Sequence, residues 1–169
     1  MSRQARDQPG TIRALHLDNG EHLLLQVIAQ SQKGALSTCA LFGRRYASVV
    51  EATAALPRLT PGDVVATIIV PTVNLSNHDG PEWPVLGTFP VINKTVAPAF
   101  RYSVIERIRQ ALRLNHAHLR FSSIGVLHSL AHACVGLAPW DGMADPDYYE
   151  QYLLDAKHPL VVRRISARS

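Results

Sequence analysis

Cysteine is scarce in this chain of 169 residues, which contains only Cys39 and Cys134. Two thiols so far apart give no sign of the disulfide framework on which small secreted domains depend. The first ten residues are polar and lack the apolar stretch of a secretory signal. We therefore expect a cytoplasmic protein with reduced thiols.

Long apolar runs are also missing. No uninterrupted apolar stretch approaches the roughly 20 residues that a membrane-spanning helix needs, so the sequence predicts no membrane span. Apolar residues nonetheless make up 47% of the chain and charged residues 18%, which is typical of a globular protein with a core. The length fits one domain with, at most, an appended subdomain.

The signatures of several enzyme classes are absent from the sequence. It has no Gly-x-Ser-x-Gly motif and neither of the common Gly-rich phosphate-binding motifs. Serine hydrolysis, nucleotide hydrolysis and dinucleotide redox chemistry are therefore poorly supported. We expect a protein without a cofactor that is not an enzyme.

The first half carries the signals of short antiparallel strands. Asp-Asn-Gly at 18–20, between two alternating apolar runs, predicts a β-hairpin over residues 11–30 because Asn and Gly tolerate positive φ. Leu36–Phe42 is predicted as a third strand. Pro-Gly-Asp at 61–63 predicts a type II turn before a buried strand at Val64–Val70, which we expect to be central in its sheet.

A further short strand is predicted at Trp83–Phe89. We expect it to return beside Val64–Val70, in an edge position because its prolines cannot donate to a ladder. The polar residues 74–82 predict an exposed loop between the two strands. Residues 44–55 fit either a strand or a helix. Residues 1–10 are expected to form a flexible lead-in, and residues 11–92 a small antiparallel β-barrel or sandwich, OB-like or SH3-like.

In the second half the apolar pattern changes from a period of two to a period of 3.6. The capping box at 103–106 predicts a first helix, and Ser123–Val135 is predicted as a second, ending before a glycine. An Asp-Pro start signal at 145–146 predicts a third, and Leu160–Ile165 a final strand. The sequence thus predicts an α+β chain with a helical subdomain at 93–169.

His128 and His132 are the candidate metal ligands. At i and i+4 of a helix they share a face, so both imidazoles can reach one zinc ion. Ser129 stands where a zinc protease has its glutamate, and no third ligand can be assigned from the sequence. The simpler interpretation, which we favour, is two polar positions on a partly buried helix.

Cys134 beside a histidine would suit a nucleophile–base pair. It lies, however, at the C-terminal end of its predicted helix, where the helix dipole opposes a thiolate. We therefore interpret Cys134, like Cys39, as a small core residue.

Basic residues recur at offsets of 0, 4, 7 and 11, which predicts one basic helix face formed by Arg109, Arg113, His116 and Arg120. Such a face suits the phosphates of nucleic acid or an acidic protein surface. Because the net charge is only +4, an ordinary solvated helix face is the simpler interpretation.

An aromatic loop combines Trp140, Tyr148 and Tyr149 with three aspartates. Trp and Tyr are enriched at interface hot spots, so the loop is a candidate protein-contact surface. We give equal weight to the alternative that these aromatics pack back on the body of the protein. The aspartates do not have the order of a calcium-binding loop.

Residues 58–65 and 83–87, Arg-Leu-Thr-Pro-Gly-Asp-Val-Val and Trp-Pro-Val-Leu-Gly, are similar to small barrel modules of bacterial secretion-system and phage-tail accessory proteins. The likeness rests on common turn and strand chemistry, so it implies a fold and carries over no functional residue. We expect a non-enzymatic interaction or assembly module that contacts a protein partner or itself, as an accessory component of a bacterial or phage complex. A nucleic-acid-binding protein and a metal-dependent enzyme are the alternatives.

Overall fold

A five-stranded antiparallel sheet of order β4-β3-β2-β1-β5 is the central element of the fold. The computed structural model describes residues 7–30, 34–76, 83–92 and 122–167. The strands are β1 (Thr11–His16), β2 (His22–Gln30), β3 (Leu36–Phe42), β4 (Val64–Pro71) and β5 (Val85–Thr88). The helices in these ranges are α1 (Val49–Ala55), α2 (Thr72–Ser76) and α3 (Ile124–Cys134). The predicted α+β class is confirmed.

The predicted hairpin of β1 and β2 is confirmed. The two strands pair antiparallel from Ile12 opposite Gln26 to His16 opposite His22. Gly20 closes the turn with a φ of +87°, in the left-handed region that favours glycine. The Asn-Gly turn therefore sets the register in which β1 and β2 pair.

The remaining strands do not follow the predicted order. β4 is a buried strand at the expected residues, but it lies at one edge of the described sheet and not at its centre. β5 lies at the opposite edge and pairs with β1, with Thr11 opposite Thr88. Its edge position is confirmed, whereas its placement beside β4 is wrong. The described sheet is open, so the expected barrel is not confirmed.

The turn before β4 is built differently from the prediction. Gly62 does not adopt a positive φ, so there is no type II turn. Pro61–Asp63 forms a single 3-10 turn instead. The Asp63 carboxylate accepts hydrogen bonds from the Thr60 amide at 2.9 Å and from the Thr60 hydroxyl at 3.0 Å. Side-chain capping thus takes the place of a left-handed glycine.

The predictions of helices have different outcomes. The helix predicted at Ser123–Val135 is confirmed as α3, with Ser123 as its N-cap, and Gly136 follows it with a φ of +75°. Residues 44–55, for which the sequence fits either a strand or a helix, contain α1. The helix predicted from the capping box at 103–106 lies outside the described residues.

Three further expectations are corrected. The loop expected from residue 74 onward begins as α2, and Leu75 is fully buried. The helix expected from 145–146 is a short 3-10 turn at Tyr148–Tyr152. The final strand at Leu160–Ile165 is a single parallel bridge between Val135 and Val162.

Both faces of the sheet are buried over most of β1 to β4, as the alternation along β2 shows. Leu23 and Leu25 join an apolar cluster that includes Leu127 and Leu130 of α3. Leu24, between them, joins a second cluster on the opposite face together with residues of α1. The first cluster thus unites strands with the C-terminal residues and positions α3 against the hairpin. In the described ranges no helix has the length and apolar character needed to cross a membrane.

Candidate functional site

The turn of the β1–β2 hairpin meets helix α3 at Asp18, His128 and His132. Their potential ligand atoms, one from each residue, all lie within 4.8 Å of one another. The two histidines stand one helical turn apart, with ring centroids separated by 4.1 Å. The spacing of the histidines was visible in the sequence, but the carboxylate comes from a turn more than a hundred residues away.

His132 is the buried member of this site, with only 4% of its surface exposed. Its Nδ1 lies 2.7 Å from the backbone oxygen of His128. Because a carbonyl can only accept, Nδ1 carries the proton and Nε2 keeps a lone pair. That lone pair accepts a hydrogen bond from the backbone amide of Asp18 at 2.9 Å. A neutral His132 therefore ties the hairpin turn to α3.

The side chain of Asp18 faces both imidazoles. Its Oδ1 lies 3.3 Å from Nε2 of His132 and 3.7 Å from Nε2 of His128. The Asp18 side chain is 74% exposed, and that of His128 is partly exposed. The site is thus anchored at His132 and open to solvent on its other side.

Trp83 lies behind His128. The two rings are nearly parallel, at 8°, with centroids 6.4 Å apart, and Trp83 is buried. Its backbone carbonyl accepts a hydrogen bond from Nη1 of Arg13 at 2.6 Å. Arg13 is in turn paired with Asp7, which is buried although it falls within the expected flexible lead-in. Arg13 of β1 therefore fixes the position of Trp83, the ring that lies behind His128.

β5 is an edge strand of the described sheet, and buried side chains hold the backbone just before and just after it. Before the strand, Arg13 holds the carbonyl of Trp83. After it, the buried Gln26 side chain donates to the carbonyls of Phe89 and Pro90 and accepts from the amide of Ile92. Within the described ranges β5 has one neighbouring strand, β1. Val85, which opens the strand, is 52% exposed.

The thiols do not have the properties of nucleophiles. Burial raises the pKa of Cys134 to about 12 and also raises the pKa of Cys39. Both side chains belong to the apolar cluster that contains α3. This packing supports their interpretation as core residues.

The aromatic loop packs inward. Trp140 and Tyr149 are buried, with ring centroids 5.4 Å apart, while Tyr148 is partly exposed. The indole of Trp140 donates to Glu150 at 3.0 Å, and the Arg163 guanidinium lies 5.1 Å from the indole centroid. These contacts favour the alternative in which the aromatics pack on the body of the protein.

Arg109, Arg113, His116 and Arg120 lie outside the described residues, so the predicted basic helix face stays a prediction. Comparisons of this chain with protein-family models, with curated proteins and with solved structures found no match.

Proposed function

We propose that this protein is a non-enzymatic interaction module that associates through the outer edge of β5. The observation that carries the proposal is the position of this strand at the end of the described sheet, with Val85 half exposed. A sheet edge presents unpaired N–H and C=O groups that act as a template for another strand.

The anchoring of β5 makes it suited to this role. Arg13 and Gln26, both buried, hold the backbone just before and just after the strand. Because the strand is already extended and fixed, pairing it with another strand costs less conformational entropy than ordering a loose segment.

The occupant that we propose is a second copy of the chain. Two β5 strands that pair antiparallel about a two-fold axis use the same residues on both sides and extend one sheet across two subunits. The strand has only four residues, so the dimer is expected to be weak. An accessory role in a larger bacterial or phage assembly would use the same edge for an extended segment of a partner.

Sedimentation equilibrium over a wide range of protein concentrations tests this proposal. We expect a monomer–dimer equilibrium that Val85→Lys weakens by about tenfold or more, since an edge lysine opposes strand pairing. Val50→Lys is the matched control, because Val50 is 79% exposed and belongs to helix α1, not to the edge strand. A protein that stays monomeric at every concentration would overturn the proposal, and so would equal weakening by both variants.

Nucleic-acid binding through residues 109–120 is the alternative proposal, and it rests on the sequence pattern alone. A metal-dependent enzyme is the second alternative, since three potential ligands meet at the hairpin turn.

A further inference from the structure

We propose that Asp18, His128 and His132 bind a divalent transition-metal ion, with Zn²⁺ as the expected occupant, and that the ion joins the hairpin turn to helix α3. Two imidazole nitrogens and one carboxylate oxygen form a donor set that suits zinc and its first-row neighbours. This site is separate from the edge of β5, so either proposal can fail without the other.

The distances between the donor atoms fit a small ion. Four ligands at about 2.1 Å in a tetrahedron lie about 3.4 Å from one another. Oδ1 of Asp18 lies 3.3 Å from Nε2 of His132 and 3.7 Å from Nε2 of His128. The two separations from the carboxylate are therefore already close to those that coordination requires, and all three donor atoms lie within 4.8 Å of one another.

The surroundings of His132 also match those of a metal ligand. A ligating imidazole usually donates its second ring N–H to a carbonyl or carboxylate, which fixes the tautomer and the ring orientation. Nδ1 of His132 has this partner in the backbone oxygen of His128, at 2.7 Å. Nε2, the ligating atom, is thereby aimed at the turn that carries Asp18.

Metal binding at this place must displace an existing hydrogen bond. The lone pair of His132 Nε2 accepts from the Asp18 amide at 2.9 Å, so the ion takes that position and the amide turns to water. Residues 18–20 are exposed and include the left-handed Gly20, which makes this turn the part able to shift. The ion thus replaces one link between turn and helix by a stronger one.

Within the part of the chain that the structure describes, three side chains can act as ligands here, and the exposed side of Asp18 suits a water molecule as the fourth. The role that follows from these contacts is a clamp that lowers the mobility of the hairpin turn. Its signature is a higher melting temperature in the presence of Zn²⁺, because an ion that binds only the folded state stabilises it.

Calorimetric titration of the chelator-treated full chain with Zn²⁺, together with thermal unfolding, tests the proposal. We expect one Zn²⁺ per chain and a raised melting temperature. Asp18→Ala is the most informative variant, because it removes the carboxylate and keeps the backbone amide that binds His132. Asp18→Ala and His128→Gln should each weaken Zn²⁺ binding by at least about tenfold.

His158→Gln is the matched control, since His158 bonds the Gly62 carbonyl and is not one of the three ligands. It should bind Zn²⁺ as the unmodified chain does. Absence of binding by the folded wild-type chain would overturn the proposal. So would binding that Asp18→Ala and His128→Gln leave unchanged, because the ion would then be held elsewhere. The proposal would also be overturned if His132→Ala lowers the melting temperature but Zn²⁺ does not raise it. His132 would then only hydrogen-bond the hairpin turn to α3.

Discussion

Arg13 and Asp7 form a buried ion pair in which the guanidinium contacts both carboxylate oxygens. Nε lies 2.7 Å from Oδ2, and Nη2 lies 2.6 Å from Oδ1. The remaining guanidinium nitrogen binds the Trp83 carbonyl. One buried charge pair therefore joins residue 7, strand β1 and the segment that leads into β5, and it positions the indole that lies behind His128.

Removing one partner of this pair is expected to be strongly destabilising. Asp7→Ala leaves the Arg13 guanidinium buried without its counter-charge, and breaking a buried pair in this way costs about 3–5 kcal/mol. The free energy of unfolding, measured by urea denaturation, should fall by about that amount. Arg45→Gln is the control, since Arg45 and Glu21 form an exposed pair at 3.3 Å, which should contribute less than about 1 kcal/mol. A loss of the same small size in Asp7→Ala would contradict the structural role given to the pair.

The capping carboxylate of Asp63 should make the free energy of unfolding fall measurably at acidic pH. Burial opposes its charge, but the hydrogen bonds from Arg44 and Thr60 outweigh burial and hold the pKa of Asp63 below its ordinary 3.8. Since the pKa is lower in the folded state, the stabilisation is complete above pH 3.8 and is lost as the pH falls through the folded value.

Asp63→Asn tests this loss of stability at acidic pH. The variant should lose about 1 kcal/mol at neutral pH, because it loses a charged cap. The difference in unfolding free energy between wild type and variant should shrink as the pH falls below 3.8. Denaturation curves at a series of pH values measure it. A difference that stays constant down to the lowest pH would show that the Asp63 charge contributes nothing specific.

Neither thiol should react in the folded protein. Burial raises the pKa of both Cys39 and Cys134, so little thiolate forms and reagents have no access. A chromogenic disulfide reagent should therefore label no cysteine in native buffer and two per chain in guanidinium. Rapid labelling of one native thiol would revive the nucleophile–base pair that the burial of Cys134 argues against.

The parts of the fold that the sequence predicts well are those that local chemistry decides. The hairpin follows from Asn19 and Gly20, and α3 follows from its cap at Ser123 and the glycine beyond its end. Gly62 shows where a local rule fails. Thr60 and Asp63 cap the turn with side-chain hydrogen bonds, and this arrangement needs no left-handed residue.

Strand order and the third candidate ligand depend on contacts between distant residues. β5 lies beside β1 because Arg13 and Gln26 bind the backbone more than sixty residues later. Asp18 reaches the histidines only because the same apolar cluster packs the hairpin against α3. No spacing rule connects such residues in one sequence. The exposed aspartate of an Asn-Gly turn looks like ordinary turn chemistry until the helix is placed against it.

The basic face predicted from Arg109, Arg113, His116 and Arg120 has a test of its own. If these side chains contact phosphates, each contact releases counterions, and log K falls with log salt at about 0.9 per contact on duplex DNA. The double variant Arg109→Gln/Arg113→Gln should therefore lower that slope by about 2 and weaken binding to all sequences alike. Fluorescence anisotropy with a labelled duplex at several salt concentrations measures the slope, with Arg45→Gln as an exposed-arginine control outside the predicted face. A slope unchanged in the double variant, or no binding at low salt, would leave these residues as a solvated helix face.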